Sequence, residues 1–422
     1  MKKYIFSITL IILYTTIVCG QNLPWLETKP MPTPRYGMCS VVYRGEVWVI
    51  GGADGEERSL KTVEVFDPVN HRWDTNSIPQ LNIARYNAAS VVYEDKIYVM
   101  GGRDSTGTAT SSVEVFDPQL YRWLIFKELQ VPREALNAII YRDRMYAIGG
   151  FGSTENVYLA NNEYWDVENS EWMPDIEWSL RIPRVSMESI VINDIVYTLG
   201  GNYFGPVSIV ERYQEGVGTA LLSSMSTPRY EFAAVAIDDT ILVIGGLSET
   251  DVIPGIESFI VTNNKWRSDE IAYDLPRSGL NAIKFENFIF TFGGKSYDNE
   301  VLDIVNFALI DSVESTGMNY IKSDVPPGFT LFQNYPNPFN SSTKIGLRIP
   351  QQFTGLVRLD IINVRGVIVD SYIHENGGYD GHIEFTWNGK DMNHDDVSSG
   401  VYFYRLRTGD TIIAVRKMMV IR

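Results

Sequence analysis

Cysteine and histidine are scarce in this chain, with two cysteines and four histidines among 422 residues. One cysteine, Cys19, lies in the N-terminal apolar segment, so a chain processed after residue 20 keeps only Cys39. A single thiol excludes an intramolecular disulfide, and stability must then come from packing. Long apolar runs are also lacking after Val18, which predicts no transmembrane segment in the mature chain.

Positively charged residues are also few, since 36 Lys and Arg residues stand against 52 Asp and Glu residues and give a net charge of −16. Such a surface repels phosphate backbones and anionic membranes, so we expect no nucleic-acid partner. Aromatic residues make up 12% of the chain, 24 of them tyrosines, which favours strands over helices. The length allows a large all-β body with an appendage.

The N-terminus has the pattern of an export signal. Lys2 and Lys3 precede the apolar run Tyr4–Val18, and small residues precede a cleavage site before Gln21. We therefore predict a signal peptide over residues 1–20. A lipid-modified Cys19 is the alternative, but the sequence "TIVC" lacks the small residues that usually precede such a cysteine.

An internal repeat dominates the rest of the sequence, marked by six glycine pairs that begin 45 to 51 residues apart. The pairs are Gly51-Gly52, Gly101-Gly102, Gly149-Gly150, Gly200-Gly201, Gly245-Gly246 and Gly293-Gly294. An arginine stands sixteen residues before each pair. These arginines are Arg35, Arg85, Arg133, Arg184, Arg229 and Arg277.

Each repeat also has the pattern of four strands. Two apolar runs joined by a polar dipeptide predict a β-hairpin, and the second run ("VWVI", "IYVM", "MYAI") is apolar enough to be buried on both faces. Segments such as "VEVFDPVNHRW" and "VEVFDPQLYRW" predict the third and fourth strands. These residues resemble the kelch-repeat family over roughly residues 24–310, and the resemblance implies a six-bladed β-propeller.

Closure of the ring can also be predicted. Ala220 and Glu314 occupy the places where the fourth and sixth copies should have the tryptophan of strand four. Trp25 lies ten residues before Arg35, as Trp123 lies ten before Arg133. We therefore expect the N-terminal segment to supply the outer strand of the last blade, within a propeller over residues 21–310.

The C-terminal part has a different pattern. Residues 311–328 show no repeat signal and are predicted to be a linker, and residues 329–422 contain short strands typical of a small β-sandwich. The segments "FQNYPNPFNSSTKIGLRIP" (332–350) and "SSGVYFYRLRTGDTIIAVRKMMVIR" (398–422) resemble the type A sorting domain of the type IX secretion system, apart from Ser341 where a second proline is usual. The resemblance implies the type IX secretion machinery as a partner. It also implies a location outside a Gram-negative bacterium, either secreted or on the outer-membrane surface.

The recurring arginines have two possible roles. A glutamate recurs two residues before the strand-three aromatic in five of the six copies, at Glu64, Glu114, Glu163, Glu211 and Glu257. The first interpretation is an ion pair inside each blade, since buried arginines are usually paired. The second is a ring of arginines that binds an anion. The glycine pairs are interpreted as backbone bends, because no phosphate-loop pattern surrounds them.

A ligand site, if present, is expected on the face where strand one begins and strand two ends. The register places seven candidate ligand-binding residues there: Asn87, Arg103, Asp104, Asn202, Tyr203, Glu231 and Lys295. Their mixed charges, amides and phenol suit a protein or glycan ligand. We predict no cofactor and no metal. The copper chemistry of some kelch oxidases needs two histidines and a cross-linked cysteine, whereas this propeller has only His71 and Cys39.

Two functions follow from these patterns. The first is a binding module without catalysis. The second, implied by resemblance to kelch mutarotases, is an enzyme on a sugar or sugar acid, with Glu231 as the acid and Arg103 for a substrate carboxylate. The fold alone permits both. The sequence favours binding, since the candidate face carries no histidine and no compact acid–base pair.

Overall fold

The computed structural model describes residues 25–74, 78–152, 156–267, 276–310, 329–350, 353–363, 367–377, 381–409 and 411–421. The predicted signal peptide, 1–20, and the predicted linker, 311–328, lie outside the described residues. Within these ranges every regular element is a β-strand, in agreement with the all-β prediction.

Six antiparallel four-stranded sheets form the blades of a propeller around a central channel. From the channel outwards, the strands are Cys39–Tyr43, Glu46–Ile50, Val63–Asp67 and Arg72–Asp74 in blade 1; Ala89–Tyr93, Lys96–Met100, Val113–Asp117 and Arg122–Ile125 in blade 2; Asn137–Tyr141, Arg144–Ile148, Asn161–Asp166 and Glu171–Ser179 in blade 3. They are Glu188–Ile192, Ile195–Leu199, Val210–Gln214 and Gly218–Leu221 in blade 4; Ala233–Ile237, Thr240–Ile244, Ile256–Ile260 and Lys265–Arg267 in blade 5; and Asn281–Phe285, Phe288–Phe292, Val305–Leu309 and Leu26–Glu27 in blade 6.

Two small two-stranded sheets lie beside the blades. Arg85–Tyr86 pairs with Arg103–Asp104, and Phe151–Gly152 pairs with Val157–Tyr158. Both sheets extend the loops at the end of the propeller where the inner strands begin.

The hairpins predicted between strands one and two are confirmed. In blade 2, Tyr93 pairs with Lys96, and the two turn residues Glu94 and Asp95 have φ values of 47° and 55°. Two positive φ values are the signature of the tight turn that matches strand twist. In all six blades the second strand is buried after its first residue, because neighbouring blades cover both of its faces.

The ring closes with strands from both ends of the repeat region. Leu26 pairs with Phe307 and Glu27 pairs with Asn306, so blade 6 takes its outer strand from the N-terminal segment. Trp25 packs into the apolar cluster between blades 5 and 6. Opening the ring would therefore require this strand to leave blade 6.

The predicted ion pairs are present in five blades. The pairs are Arg35–Glu64, Arg85–Glu114, Arg133–Glu163, Arg184–Glu211 and Arg229–Glu257. Each arginine side chain is at most 1% exposed, so the alternative of an anion-binding ring is wrong. Blade 6 departs from the pattern, because Arg277 donates to the amide oxygen of Asn306 at 2.8 Å.

The sixteen-residue offset also has a structural explanation. Arg133 donates to the carbonyl of Gly149 at 2.8 Å, and the equivalent bond recurs in blades 1, 2, 5 and 6. The glycines must stay small, because a Cβ on Gly51, at φ +63°, would lie 2.6 Å from the carbonyl oxygen of Arg85 in the next blade. In these five blades the arginine therefore anchors the glycine pair of its own blade, and that pair meets the next blade closely.

The C-terminal region contains two sheets that enclose an apolar core, consistent with a β-sandwich. One sheet has the order Thr330–Leu331, Thr343–Ile349, Gly381–Trp387. The other has the order Ile368–Gly377, Thr354–Asn363, Gly400–Thr408, Thr411–Val420. Trp387 and Tyr404 are completely buried in the core.

The two sequence motifs of this region form one structural unit. Tyr404 accepts a hydrogen bond from the backbone N–H of Asn334 at 2.8 Å, through its hydroxyl. The Asn337 side chain accepts one from the N–H of Met419 at 2.8 Å, and Phe339 bonds the same strand on both sides through its backbone. The proline-rich segment therefore holds the final strand in place.

The C-terminal region also packs against the propeller, at the end opposite the start of the inner strands. The ring of Phe403 lies 5.2 Å from Phe288 and 5.5 Å from Phe307, between ring centroids. His71 is 3% exposed at this junction and shares a 2.7 Å hydrogen bond with Thr28. No sequence pattern predicts this contact, because its two sides lie about 100 residues apart in the chain.

Acid is expected to weaken the structure through His71. Burial, with a smaller effect of Lys417, lowers the pKa of His71 to about 3, and only Asp67 opposes this shift. Below the ordinary pKa of about 6.5 the unfolded chain gains a proton that the folded chain does not bind, so stability is lost as the pH falls from 6.5 towards 3. We expect a loss of about 2 kcal/mol at pH 5.

Thermal unfolding between pH 7.5 and 4 measures this loss. The Tm of His71→Gln should fall less steeply with decreasing pH than the Tm of the natural protein. The Tm of His394→Gln, changed at an exposed residue, should fall as steeply as that of the natural protein. Equal slopes for all three proteins would show that His71 does not carry the acid sensitivity.

Candidate functional site

A closed ring of backbone hydrogen bonds encircles the channel at one end of the propeller. Its members stand two residues after each recurring arginine: Gly37, Asn87, Ala135, Ser186, Glu231 and Gly279. All six have φ values between 49° and 59°. The N–H of each donates to the carbonyl of its counterpart in an adjacent blade, at 2.7 to 3.2 Å, and the six bonds close on themselves. We call this ring the annulus.

Above the annulus lies a cavity of 430 Å³, which we call the mouth cleft. Five of the seven predicted ligand-binding residues line it: Asn87, Arg103, Asn202, Glu231 and Lys295. Tyr203 lies at its rim, with its ring 5.3 Å from that of the cleft residue Tyr158. Asp104 is outside the cleft and bonds its own turn, at 2.8 Å from the N–H of Thr106. Their role in binding stays a prediction.

Arg103 is held by a partner that the sequence reasoning missed. Its guanidinium donates to both carboxylate oxygens of Glu134, at 2.6 and 2.7 Å. These hydrogen bonds raise the pKa of Arg103. Glu134 follows Arg133 directly, so its position beside the annulus could have been found from the repeat register. This Arg103–Glu134 pair, which we call the fork, is fixed in position and carries no net charge where it faces the cleft.

Lys295 is fixed over an aromatic ring. Its ammonium nitrogen lies 3.6 Å from the centroid of Tyr36 and 3.9 Å from a carboxylate oxygen of Glu57. The ring of Tyr36 in turn meets Tyr86 edge-on at 6.0 Å. A cation over an aromatic face is an attractive contact, so Lys295 is positioned on one side of the cleft.

Glu231 belongs to both the annulus and the cleft. Burial raises the pKa of its carboxyl group, while the nearby charge of Lys295 and a hydrogen bond with Ser278 oppose that rise. A carboxyl group offers two oxygen atoms for hydrogen bonds. Glu231 therefore gives the cleft an acidic group beside the cation of Lys295.

An aromatic cluster forms one wall of the cleft and continues to its rim. Tyr158 packs 5.4 Å from Phe151, 5.3 Å from Tyr203 and 5.0 Å from Phe204. Tyr203 is 38% exposed and Phe204 is 82% exposed. Exposed rings at this density are unusual for a surface loop, and they offer apolar faces to a ligand. The sequence reasoning found only Tyr203, because these loops share no repeat pattern.

Below the annulus the channel continues as a second cavity of 230 Å³. Glu188 lies in its wall and accepts a hydrogen bond from the Asn137 amide at 3.0 Å. Burial raises the pKa of Glu188 to about 8. Sequence reasoning overlooked this residue, although it stands four positions after Arg184, where an inner strand begins.

The described part of the chain contains no cluster of three or more histidine, cysteine, aspartate or glutamate side chains able to hold a metal ion. Cys39 is buried, and burial raises the pKa of its thiol to about 11. A protonated thiol is a poor ligand and a poor nucleophile.

Comparison with known proteins agrees with this architecture. Residues 13–203 match the family model of the KLHDC2/KLHL20/DRC7 Kelch-repeats domain, and residues 228–268 match the Kelch motif. This chain belongs to the kelch-repeat family. Residues 333–421 match the Secretion system C-terminal sorting domain, so the kelch protein carries a type IX sorting domain at its C-terminus.

Individual relatives share parts of the repeat region. Kelch-like protein 15 of Mus musculus is 29% identical over 131 residues, which cover 29% of this chain and 22% of that protein. Kelch repeat and BTB domain-containing protein 2 of Cowpox virus (strain Brighton Red) is 26% identical over 166 residues, covering 38% of this chain and 29% of that protein. The kelch protein thus spans less than a third of these relatives.

Among solved structures, that of YjhT matches with a TM-score of 0.59 and 13% identity, covering 68% of this chain and 98% of that one. At this identity the likeness concerns the fold. Within the described residues, we find no helix with the length and apolar character needed to span a membrane.

Proposed function

We propose that this kelch protein is an exported binding module that takes a glycan in the mouth cleft and does no chemistry on it. The observation that carries the proposal is the composition of the cleft. Aromatic faces at Tyr158 and its neighbours stand beside the fixed Arg103–Glu134 fork and the amides of Asn87 and Asn202. Sugars present apolar C–H faces and paired hydroxyl groups, which suit this combination.

The sorting domain supports export as the fate of the chain. We propose that residues 1–20 direct passage across the inner membrane. We further propose that residues 329–422 are read by the type IX machinery of a Gram-negative bacterium, which leaves the propeller, residues 21–310, secreted or on the cell surface. The match over residues 333–421 supports this reading.

Glycan binding is tested on arrays of glycans and of peptides probed with the full chain. Tyr158→Ala should weaken binding to the best glycan about tenfold, since a well-placed aromatic contact contributes roughly 1–2 kcal/mol. Tyr121→Ala is the control, because Tyr121 is 48% exposed in a turn at the opposite end of blade 2. Binding confined to peptides, or equal effects of the two variants, would contradict the proposal.

One observation favours the enzyme alternative. Glu231 combines a position in the cleft with a pKa raised by burial, as general acids and bases often do. Arg103 fits this alternative less well, because Glu134 already occupies its guanidinium. Anomer exchange of sugars and sugar acids, followed by NMR with the natural protein and Glu231→Gln, decides between the two. If the natural protein accelerates anomer exchange and Glu231→Gln does not, the function is catalysis and not binding alone.

A further inference from the structure

The channel below the annulus is lined by side-chain oxygen atoms. They come from the first two residues of the inner strands of five blades, namely Ser40, Ser90, Asn137, Glu188 and Asn281. Glu231 of the annulus lies at the upper end of the same channel. Carboxylate, amide and hydroxyl oxygens are the ligands that hard cations prefer.

Glu188 has no cationic partner among the residues that the structure describes. The one hydrogen bond found for its carboxylate comes from the neutral amide of Asn137. In this partly shielded channel the charged form of the carboxyl group needs an opposite charge beside it. The five arginines of the blade ion pairs cannot serve, since each is already bound to its own glutamate.

One amide oxygen in the channel wall also has unused bonding capacity. Asn137 Oδ1 is buried and has no hydrogen-bond partner among the described residues. Buried polar groups of this kind usually have a partner, which can be a water molecule or an ion. Asn137 thus brings together an unsatisfied oxygen and a contact with the Glu188 carboxyl group.

We propose that the channel binds a calcium ion, with the Glu188 carboxyl group as its one acidic ligand and with amide and hydroxyl oxygens and water completing the shell. Calcium accepts six to eight oxygens in flexible geometry, whereas magnesium demands a regular octahedron that a wall built from several blades does not supply. A site with so few carboxylates should be weak, with a Kd on the order of 10⁻⁴ to 10⁻³ M, as in extracellular modules. This proposal does not rest on the glycan proposed for the mouth cleft.

The test uses the full chain freed of metal with a chelator. Equilibrium dialysis against radioactive calcium should give one bound ion, and calcium should raise the Tm more than equal magnesium or sodium does. Glu188→Gln should remove both effects. Glu171→Gln should leave them unchanged, because Glu171 lies on the outer strand of blade 3 with its side chain 57% exposed.

A second variant keeps the proposal falsifiable if Glu188→Gln fails to fold. Asn137→Asp adds a carboxylate beside Glu188 and should tighten calcium binding about tenfold, because affinity rises with the ligand charge. A purely structural role for Asn137 predicts no such gain. The proposal is overturned if the natural protein binds no calcium at about 10 mM, a concentration well above the expected Kd, or if Glu188→Gln binds it equally well.

Discussion

Replacing Glu163 by alanine is expected to destabilise the propeller by about 3–5 kcal/mol, the usual effect of breaking a buried ion pair. Glu163 is 1% exposed and its partner Arg133 is fully buried. The carboxylate accepts from Arg133 at 2.6 Å and from the backbone N–H groups of Gln130 and Val131 at 2.7 and 3.1 Å. Alanine leaves all three donors without their acceptor, and one of them is a buried charge.

Urea or thermal unfolding measures the effect. The matched control is Glu171→Ala in the same blade, whose pair with Lys127 spans 3.5 Å and is more than half exposed. We expect that change to cost less than about 0.5 kcal/mol, as for most exposed pairs. Similar losses in the two variants would mean that the blade ion pair contributes little.

The size of this effect follows from the position of the arginine. Arg133 also donates to the carbonyls of Gly149 and Asn161, at 2.8 and 3.0 Å, so it joins the end of the second strand of blade 3 to the start of the third. Losing its carboxylate partner should loosen both strand ends together. Blade 6 shows that a neutral acceptor can take the same place, because Asn306 binds Arg277 there. Glu163→Gln should therefore be less damaging than Glu163→Ala.

Truncation after Asp324 is expected to abolish release of the protein from the cell. The removed part contains the matched sorting domain, residues 333–421. Fractionation of cells and medium, with an antibody against the propeller, measures the distribution. Normal release of the truncated chain would contradict our proposal that residues 329–422 direct export.

A smaller change tests the final strand of the sorting domain. Deleting residues 417–422 removes the end of the strand that Asn337 and Phe339 hold, and we expect it to reduce release severely. Met392→Ala is the control, since Met392 is 62% exposed in a turn of the same domain. If the chain lacking residues 417–422 is released to the same extent as Met392→Ala, the final strand is not part of the export signal.

The sequence alone determined the repeating parts of this protein. Blade number, hairpins, buried second strands and the Arg–Glu pairs all follow from patterns that recur at fixed spacing, because each blade meets the same neighbours and the same steric limits. The end at which a ligand site should lie could also be predicted, since it follows from the antiparallel order of the strands.

Only the tertiary structure decided which side chains meet across blades and domains. The repeat register could have placed Glu134 beside the annulus, but it does not show that Arg103 binds it. Nor does any local pattern show that Lys295 lies over Tyr36 or that His71 packs against Phe403. Each contact depends on the angle and distance between separately folded units, and these are set by packing of the whole ring. For the same reason the sequence shows Glu188 only as the first residue of a strand, and the closed ring is what places its carboxyl group in the channel.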